Sequence, residues 1–221
     1  MRNKLMKIAG KGDFQLDGKI PTLYVLRLCF RYGFMMVRGF FRGHPGTFIG
    51  RHVHFYCCKA LRIGYKAKIR DNVKINALST HGVSIGANCV IGEGTVIECT
   101  GSLEQIGKGL IIGDRTAFAA GCYFGAAGGI EIGEDVIVGQ MVRFHSENHR
   151  YSDRQRLIRD QGVTHKGIKI GNNCWIGSGV VFLDGAEVGD GCVVAANAVV
   201  TQKFKDNLVV GGVPAKVIKF R

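Results

Sequence analysis

An Ile-Gly doublet returns along this chain at an interval of six residues, and that interval leaves few folds open. It stands at Ile85 and Ile91, at Ile106 and Ile112, and at Ile170 and Ile176, with Val-Gly taking its place at Val138 and Val188. From Ile176 the apolar beat runs on through Phe182 and Val188 to Val194. Four residues beyond each apolar position the side chain is small or slim: Ala67, Cys89, Thr116, Cys122, Val136, Cys174, Ala186 and Cys192 are examples, and Leu110 is the exception. Each hexapeptide thus carries one large inward residue, one small inward residue and a Gly, Asp or Asn turn between short strands. Three such strands close one triangular coil, and stacked coils bury a continuous aliphatic column. The 33 glycines against 3 prolines serve those turns, because glycine adopts backbone conformations that other residues avoid. The periodicity predicts an all-β parallel β-helix; the usual rule for parallel crossovers would make it right-handed.

The net charge of +13 points to anionic partners. No zinc-finger spacing, RNA-binding aromatic signature or basic-zipper region accompanies it, so nucleic acid is set aside in favour of a phosphorylated cofactor or a lipid surface. Of eight cysteines, Cys89, Cys122, Cys174 and Cys192 fall on the small inward position and are expected to act as small buried hydrophobes. The first residues lack the apolar stretch of a signal peptide, and a cytoplasmic location is expected.

Two segments break the beat and divide the chain into residues 1–48, a repeat region at 49–212 and a tail at 213–221. In the first, Pro21 opens a helix predicted to run to about Gly39. Arg27, Arg31, Arg38 and Arg42 share one side of it. Either this helix lies on anionic lipid at the inner face of the membrane, or it caps the open end of the solenoid with its arginine face in solvent. The second break is the polar loop at 144–168, and a long loop inside a compact solenoid is usually functional.

These repeats, the His-bearing loop, Asn172 to Gly177 (NNCWIG) and Gly212 to Lys216 (GVPAK) together resemble the hexapeptide-repeat acyltransferases. Within that family the chain looks like the maltose and galactoside O-acetyltransferases, and more like the enzymes that acetylate bacterial surface polysaccharides. The resemblance implies a left-handed parallel β-helix, a homotrimer with a site at each subunit interface, acetyl-CoA as co-substrate and no metal. It also implies that His149, at the end of Ser-Glu-Asn-His, is the catalytic base. Such a base is needed because a hydroxyl is a poor nucleophile near neutral pH, and an imidazole with an ordinary pKa near 6.5 suits the task. Glu147 is the expected orienter of that imidazole. Trp175, Ser178, Ala195 and Ala196 match positions along the pantetheine arm, and Thr201, Lys216 and Lys219 match positions at the nucleotide end. Relatives often carry Lys directly after the Thr, whereas here Gln202 intervenes before Lys203. The acceptor wall at 118–129 (FAAGCYFGAAGG) lacks the Asn and Asp of the galactoside and maltose enzymes. A glycan on a lipid carrier is therefore expected rather than a free sugar, with the basic helix near the membrane. The alternatives are an N-acetyltransferase of an amino sugar, an antibiotic-modifying acetyltransferase, a γ-carbonic-anhydrase-like enzyme using His145, His149 and His81 as zinc ligands, and an inactive solenoid.

Overall fold

The computed structural model describes residues 17–221: one helix, α1 (Thr22–Phe41), followed by a left-handed parallel β-helix. Its walls are three parallel sheets. The first contains nine strands and the second and third seven each. Nearly every strand is two or three residues long. That brevity bears on the hand of the coil. The right-handed rule for crossovers depends on strand twist feeding a helical connection. Strands this short accumulate little twist, and no α-helix forms the connections between them.

The inward positions follow the apolar beat. Ile69, Ile91, Val138, Ile176 and Val194 stack down the first sheet, and Ile85, Ile112, Ile132, Ile170 and Val188 down the third; all are buried. The second sheet carries an aromatic column. Phe144 lies flat between Phe124 at 4.7 Å and Phe182 at 5.1 Å, ring centroid to centroid. The small inward cysteines are buried as expected, and so is Cys99. Burial pushes the thiols of Cys89, Cys122 and Cys174 up to about 11 and that of Cys99 to about 12, so they are chemically quiet.

Coil-to-coil cohesion also comes from an Asp or Asn after several of the Ile-Gly and Val-Gly doublets. Asp114 Oδ1 accepts the Ala87 N–H at 2.7 Å, Asn172 Oδ1 that of Glu134 at 2.9 Å and Asp190 Oδ1 that of Asn172 at 2.6 Å. The intervening glycines are needed there, since a Cβ on Gly171 would stand 2.3 Å from the Asp190 carboxylate. The turns take the left-handed backbone region at Asn88, Asn173, Asn197 and Asn207, a conformation asparagine tolerates better than most residues.

One repeat assignment is corrected. Ile106 is half-exposed and lies outside the strands. Eleven residues, 99–109, fill a corner that four, 126–129, fill one coil later. Leu110, the exception to the small-residue rule, is the first residue of the strand Leu110–Ile112 and pairs with Val83 and Ile130. The insertion is seven residues long and shifts the six-residue phase; Ile106 mimics a repeat only because it stands six residues before Ile112.

Helix α1 packs across the first coil through Val25, Met35 and Gly39. A Cβ on Gly39 would stand 2.3 Å from the Thr47 carbonyl oxygen, so this glycine permits the close approach. The arginine face is exposed at Arg27, Arg31 and Arg42, as the capping alternative expects, but three of its four members also reach the coil. Arg38 Nε donates to the Ile49 carbonyl at 2.8 Å, Arg42 donates to the Val53 carbonyl at 2.6 Å and Arg31 pairs with Asp71 at 3.0 Å. The stripe runs along the seam between helix and coil, where it satisfies carbonyls that an end coil leaves without a neighbour. At the other end, Ala215–Phe220 adds an antiparallel strand to Leu208–Gly212 and closes the first sheet.

Candidate active site

The polar loop folds into an arm. It leaves the second sheet after Arg143–His145, and Asn148–His149 pairs antiparallel with Val163–Thr164 before the chain rejoins the third sheet at Ile168–Ile170. Its tip is tied by Gln161, which accepts the Asp153 N–H and donates to the Asp153 and Arg156 carbonyls. Its root is held by two short polar side chains. Ser146, fully buried, accepts the Gly128 N–H at 2.9 Å and donates to the Gly125 carbonyl at 2.8 Å. Gly128 has no room for a side chain, because a Cβ would lie 1.8 Å from the Ser146 carbonyl oxygen.

Asp184 is the second clamp. Its buried carboxylate accepts the Gly167 N–H at 2.8 Å and the Thr164 hydroxyl at 2.8 Å, fixing the returning strand. Asp184→Ala is expected to cost about 1–3 kcal/mol through the donors it orphans. It should also raise the rate of tryptic cleavage in the arm, at Arg154, Arg156 or Arg159. A cleavage rate unchanged in the folded variant would mean that the clamp does not hold the arm.

The arm presents His149 to solvent, with no side-chain hydrogen bond to its ring among the described residues. Glu147, the expected orienter, faces elsewhere: its Oε2 lies 2.6 Å from His165 Nε2. Glu147 borders a cleft of about 140 Å³ on the outer face of the second sheet, whose lining also includes Glu98, Thr100, Tyr123 and His145. Burial, with the Arg143 charge behind it, lowers the His145 pKa, which favours the neutral imidazole. Glu98 is held by Lys74 at 2.7 Å and by the Asn76 amide at 3.1 Å. Three residues of the Gly- and Ala-rich stretch, Tyr123, Gly125 and Ala127, line the same cleft. Sequence reading missed Glu98, Tyr123 and Asp184. The signal present for the first two was their outward position on successive strands, since Tyr123 pairs with Val96 and Gly125 with both Glu98 and His145.

Most of the residues matched to the cofactor lie elsewhere. Ser178, Ala195 and Ala196 form the corner between the first and second sheets, whereas the arm leaves the corner between the second and third. The first corner is tightly stacked: a Cβ on Gly177 would stand 2.5 Å from the Ala196 nitrogen, and one on Gly139 2.5 Å from the Ser178 nitrogen. Trp175 projects from the neighbouring strand and is 59% exposed. Lys216 and Lys219 lie exposed on the last strand. Thr201 occupies the arm's corner, where the Gln202 amide reaches the Ala215 carbonyl at 3.5 Å. Lys203 Nζ pairs with Glu187 at 2.6 Å on the third sheet. The groups named for the zinc alternative are dispersed too. His81 lines a separate groove with Lys108 and Lys169, and no cluster of three His, Cys, Asp or Glu side chains that could hold a metal occurs among the described residues.

A three-walled coil of hexapeptides with one extruded arm defines the class of protein. Residues 68–99 match the hexapeptide repeat of succinyl-transferase and residues 167–202 the bacterial transferase hexapeptide. The chain belongs to the hexapeptide-repeat acyltransferases. It is 29% identical over 203 residues, 88% of this chain and 93% of the relative, to an Escherichia coli protein assigned as the lipopolysaccharide biosynthesis O-acetyl transferase WbbJ. It is 34% identical over 148 residues to a Mycobacterium tuberculosis protein assigned as an acetyltransferase; that match covers 59% of this chain and about half (49%) of the relative's length. Among solved structures it resembles a hexapeptide-repeat acetyltransferase from Vibrio cholerae complexed with acetyl coenzyme A. The TM-score is 0.52 at 30% identity, covering 60% of this chain and 67% of that one.

Proposed function

We propose that this protein transfers an acetyl group from acetyl-CoA to a sugar hydroxyl, with His149 as general base and without a metal. One observation carries the reading: an unencumbered imidazole stands on an arm at one corner, and a seam of small residues for a thin ligand arm occupies another corner. A single chain leaves them apart, so the complete site needs a second copy, and the working unit is a homotrimer. The His149 imidazole takes the acceptor proton as the oxygen attacks the thioester carbonyl. The carbon–sulfur bond then breaks, and the proton passes to the departing CoA thiolate. Ser178, Ala195 and Ala196 leave the backbone open to the pantetheine arm beside Trp175. Lys216 and Lys219, with Thr201, serve the phosphorylated nucleotide end. Lys203 joins them only by leaving Glu187.

The cleft beneath Glu147 is the acceptor subsite. Its Tyr123 ring and its Glu98 and Glu147 carboxylates offer stacking and hydrogen-bond acceptors to a sugar. The naming of the Escherichia coli relative favours a surface-polysaccharide precursor on a lipid carrier, modified on the cytoplasmic side of the membrane. The test is CoA release from acetyl-CoA by purified protein, with and without a pool of cell-envelope glycan precursors. Acceptor-dependent release with an alkali-labile acetyl product is the expected result. An alkali-stable amide would move the assignment to N-acetylation. Failure to bind CoA at all would overturn the reading.

A further inference from the structure

The face of α1 turned away from the coil is apolar. Leu23, Leu26, Phe30, Phe34, Val37 and Phe41 recur at steps of three, four and seven along it, and all are exposed. The buried residues Val25, Met35 and Gly39 lie on the opposite side. A surface helix ordinarily buries its apolar stripe and solvates its polar one. This helix has a second apolar stripe in the open, and its sequence contains no carboxylate.

Beside that stripe a cleft of about 440 Å³ is lined by Arg27, Arg31, Arg38 and Arg51, by Phe30 and Phe34, and by one carboxylate, Asp71. Four guanidinium groups thus face one acid, and the outer apolar face forms the rim. Burial, followed by the charges of Arg51, Arg42 and Arg31, lowers the Arg38 pKa against the opposing pull of Asp71. Asp71 is itself engaged by Arg31 and by the Arg51 N–H, which leaves Arg27 and the Arg51 guanidinium without a carboxylate partner among the described residues.

We propose that this cleft takes the phosphate of an anionic phospholipid while the Phe30–Phe34 face enters the acyl boundary, so that the protein lies on a membrane surface. Planar guanidinium groups match phosphate oxygens. An apolar aromatic face flanked by arginines is the composition of an interfacial helix. No helix among the described residues is long and apolar enough to cross a membrane, so α1 would lie on the surface rather than span it. A second copy of the chain fits less well, because face-to-face pairing would set one arginine cluster against another. The membrane is touched by the aromatic face, not by the arginine stripe alone, since that stripe is partly spent on the coil. The inference rests on the lipid-linked acceptor reading for its purpose but not on acetyl transfer for its chemistry.

Full-length protein is floated with phosphatidylcholine vesicles, with and without phosphatidylglycerol, beside Phe30→Ser/Phe34→Ser and Arg27→Glu/Arg51→Glu. Wild type is expected to float only with phosphatidylglycerol, and each double variant should partition at least about tenfold less. Both variants should keep the wild-type melting temperature and CoA binding, which separates a failed membrane site from a failed transferase reading. Equal flotation with phosphatidylcholine alone would overturn the anionic-phospholipid site. Full flotation of Phe30→Ser/Phe34→Ser would reduce the effect to surface adsorption and overturn insertion. Stabilisation by inorganic phosphate without vesicle binding would assign the cleft to a free anion. Self-association abolished by Phe30→Ser/Phe34→Ser, without vesicle binding, would assign the face to a second copy. Either result would overturn the proposal.

Discussion

Replacing His149 with alanine is expected to lower acceptor-dependent CoA release by about 10²–10⁴ while leaving the melting temperature where it is. Both halves of that expectation have a physical source. The rate falls because nothing else on the arm is placed to take a proton from an incoming hydroxyl. His165 is already engaged with Glu147 at 2.6 Å, and His145 is packed beside Tyr123 in the cleft. The stability holds because the His149 side chain is exposed and makes no side-chain hydrogen bond among the described residues. CoA affinity should also survive, since the residues matched to the cofactor, Thr201 apart, lie on other parts of the coil. Wild-type turnover in His149→Ala would sink the assignment. If His165→Ala were instead the inactive variant, the base would be the histidine that Glu147 holds.

Phe144→Ala should show the opposite signature. Its ring is fully buried, flat against Phe182 with an interplanar angle of 4° and against Phe124 with one of 15°. Truncation removes both stacking contacts and opens a cavity that small neighbours such as Val142 and Val180 cannot fill. The cost is about 3–5 kcal/mol. For a chain of this size that corresponds to a fall in melting temperature of about 6–20 °C. In a solenoid each coil is supported only by its neighbours, so the damage falls in the middle of the column. Phe144 also lies between Arg143 and His145, at the point where the arm departs. Phe144→Leu should retain most of the stability. A fall of only a degree or two for Phe144→Ala, measured by thermal unfolding, would mean that the aromatic column does not bind the coils into one cooperative unit.

The repeats were legible because the physics behind them is local. A six-residue beat of one large and one small inward side chain is a packing instruction that each coil repeats, and inward residues from Ile49 to Val200 obey it. The beat failed at Ile106 for a related reason: an Ile-Gly six residues before Ile112 reads as a repeat even where it belongs to a seven-residue insertion at a corner. The arm was legible as an interruption, and its histidine as a candidate, from polarity and length. Its shape was not. Ser146, Thr164 and Asp184 hold the root through contacts that span 17 to 21 residues, and no local pattern marks them. Glu147 was read as the partner of His149 because the two are neighbours in sequence. The fold instead brings back His165, 18 residues later, to the same carboxylate.

The amino-terminal helix shows the same division most clearly. Its sequence determined that a helix forms after Pro21, that it carries arginines along one side and that most of its remaining surface is apolar. Sequence could not decide which of two hydrophobic faces would be buried, because both satisfy helical periodicity. The end coil decided it: a groove over Thr47 admits only the Gly39 side of the helix, and the open carbonyls of Ile49 and Val53 draw in Arg38 and Arg42. Periodicity is written residue by residue, so the solenoid could be read from the chain alone. The choice of docking face, the partner of a carboxylate and the separation of the arm from the corner of small residues depend on groups far apart in sequence, and only the tertiary structure brings those groups into contact or holds them apart.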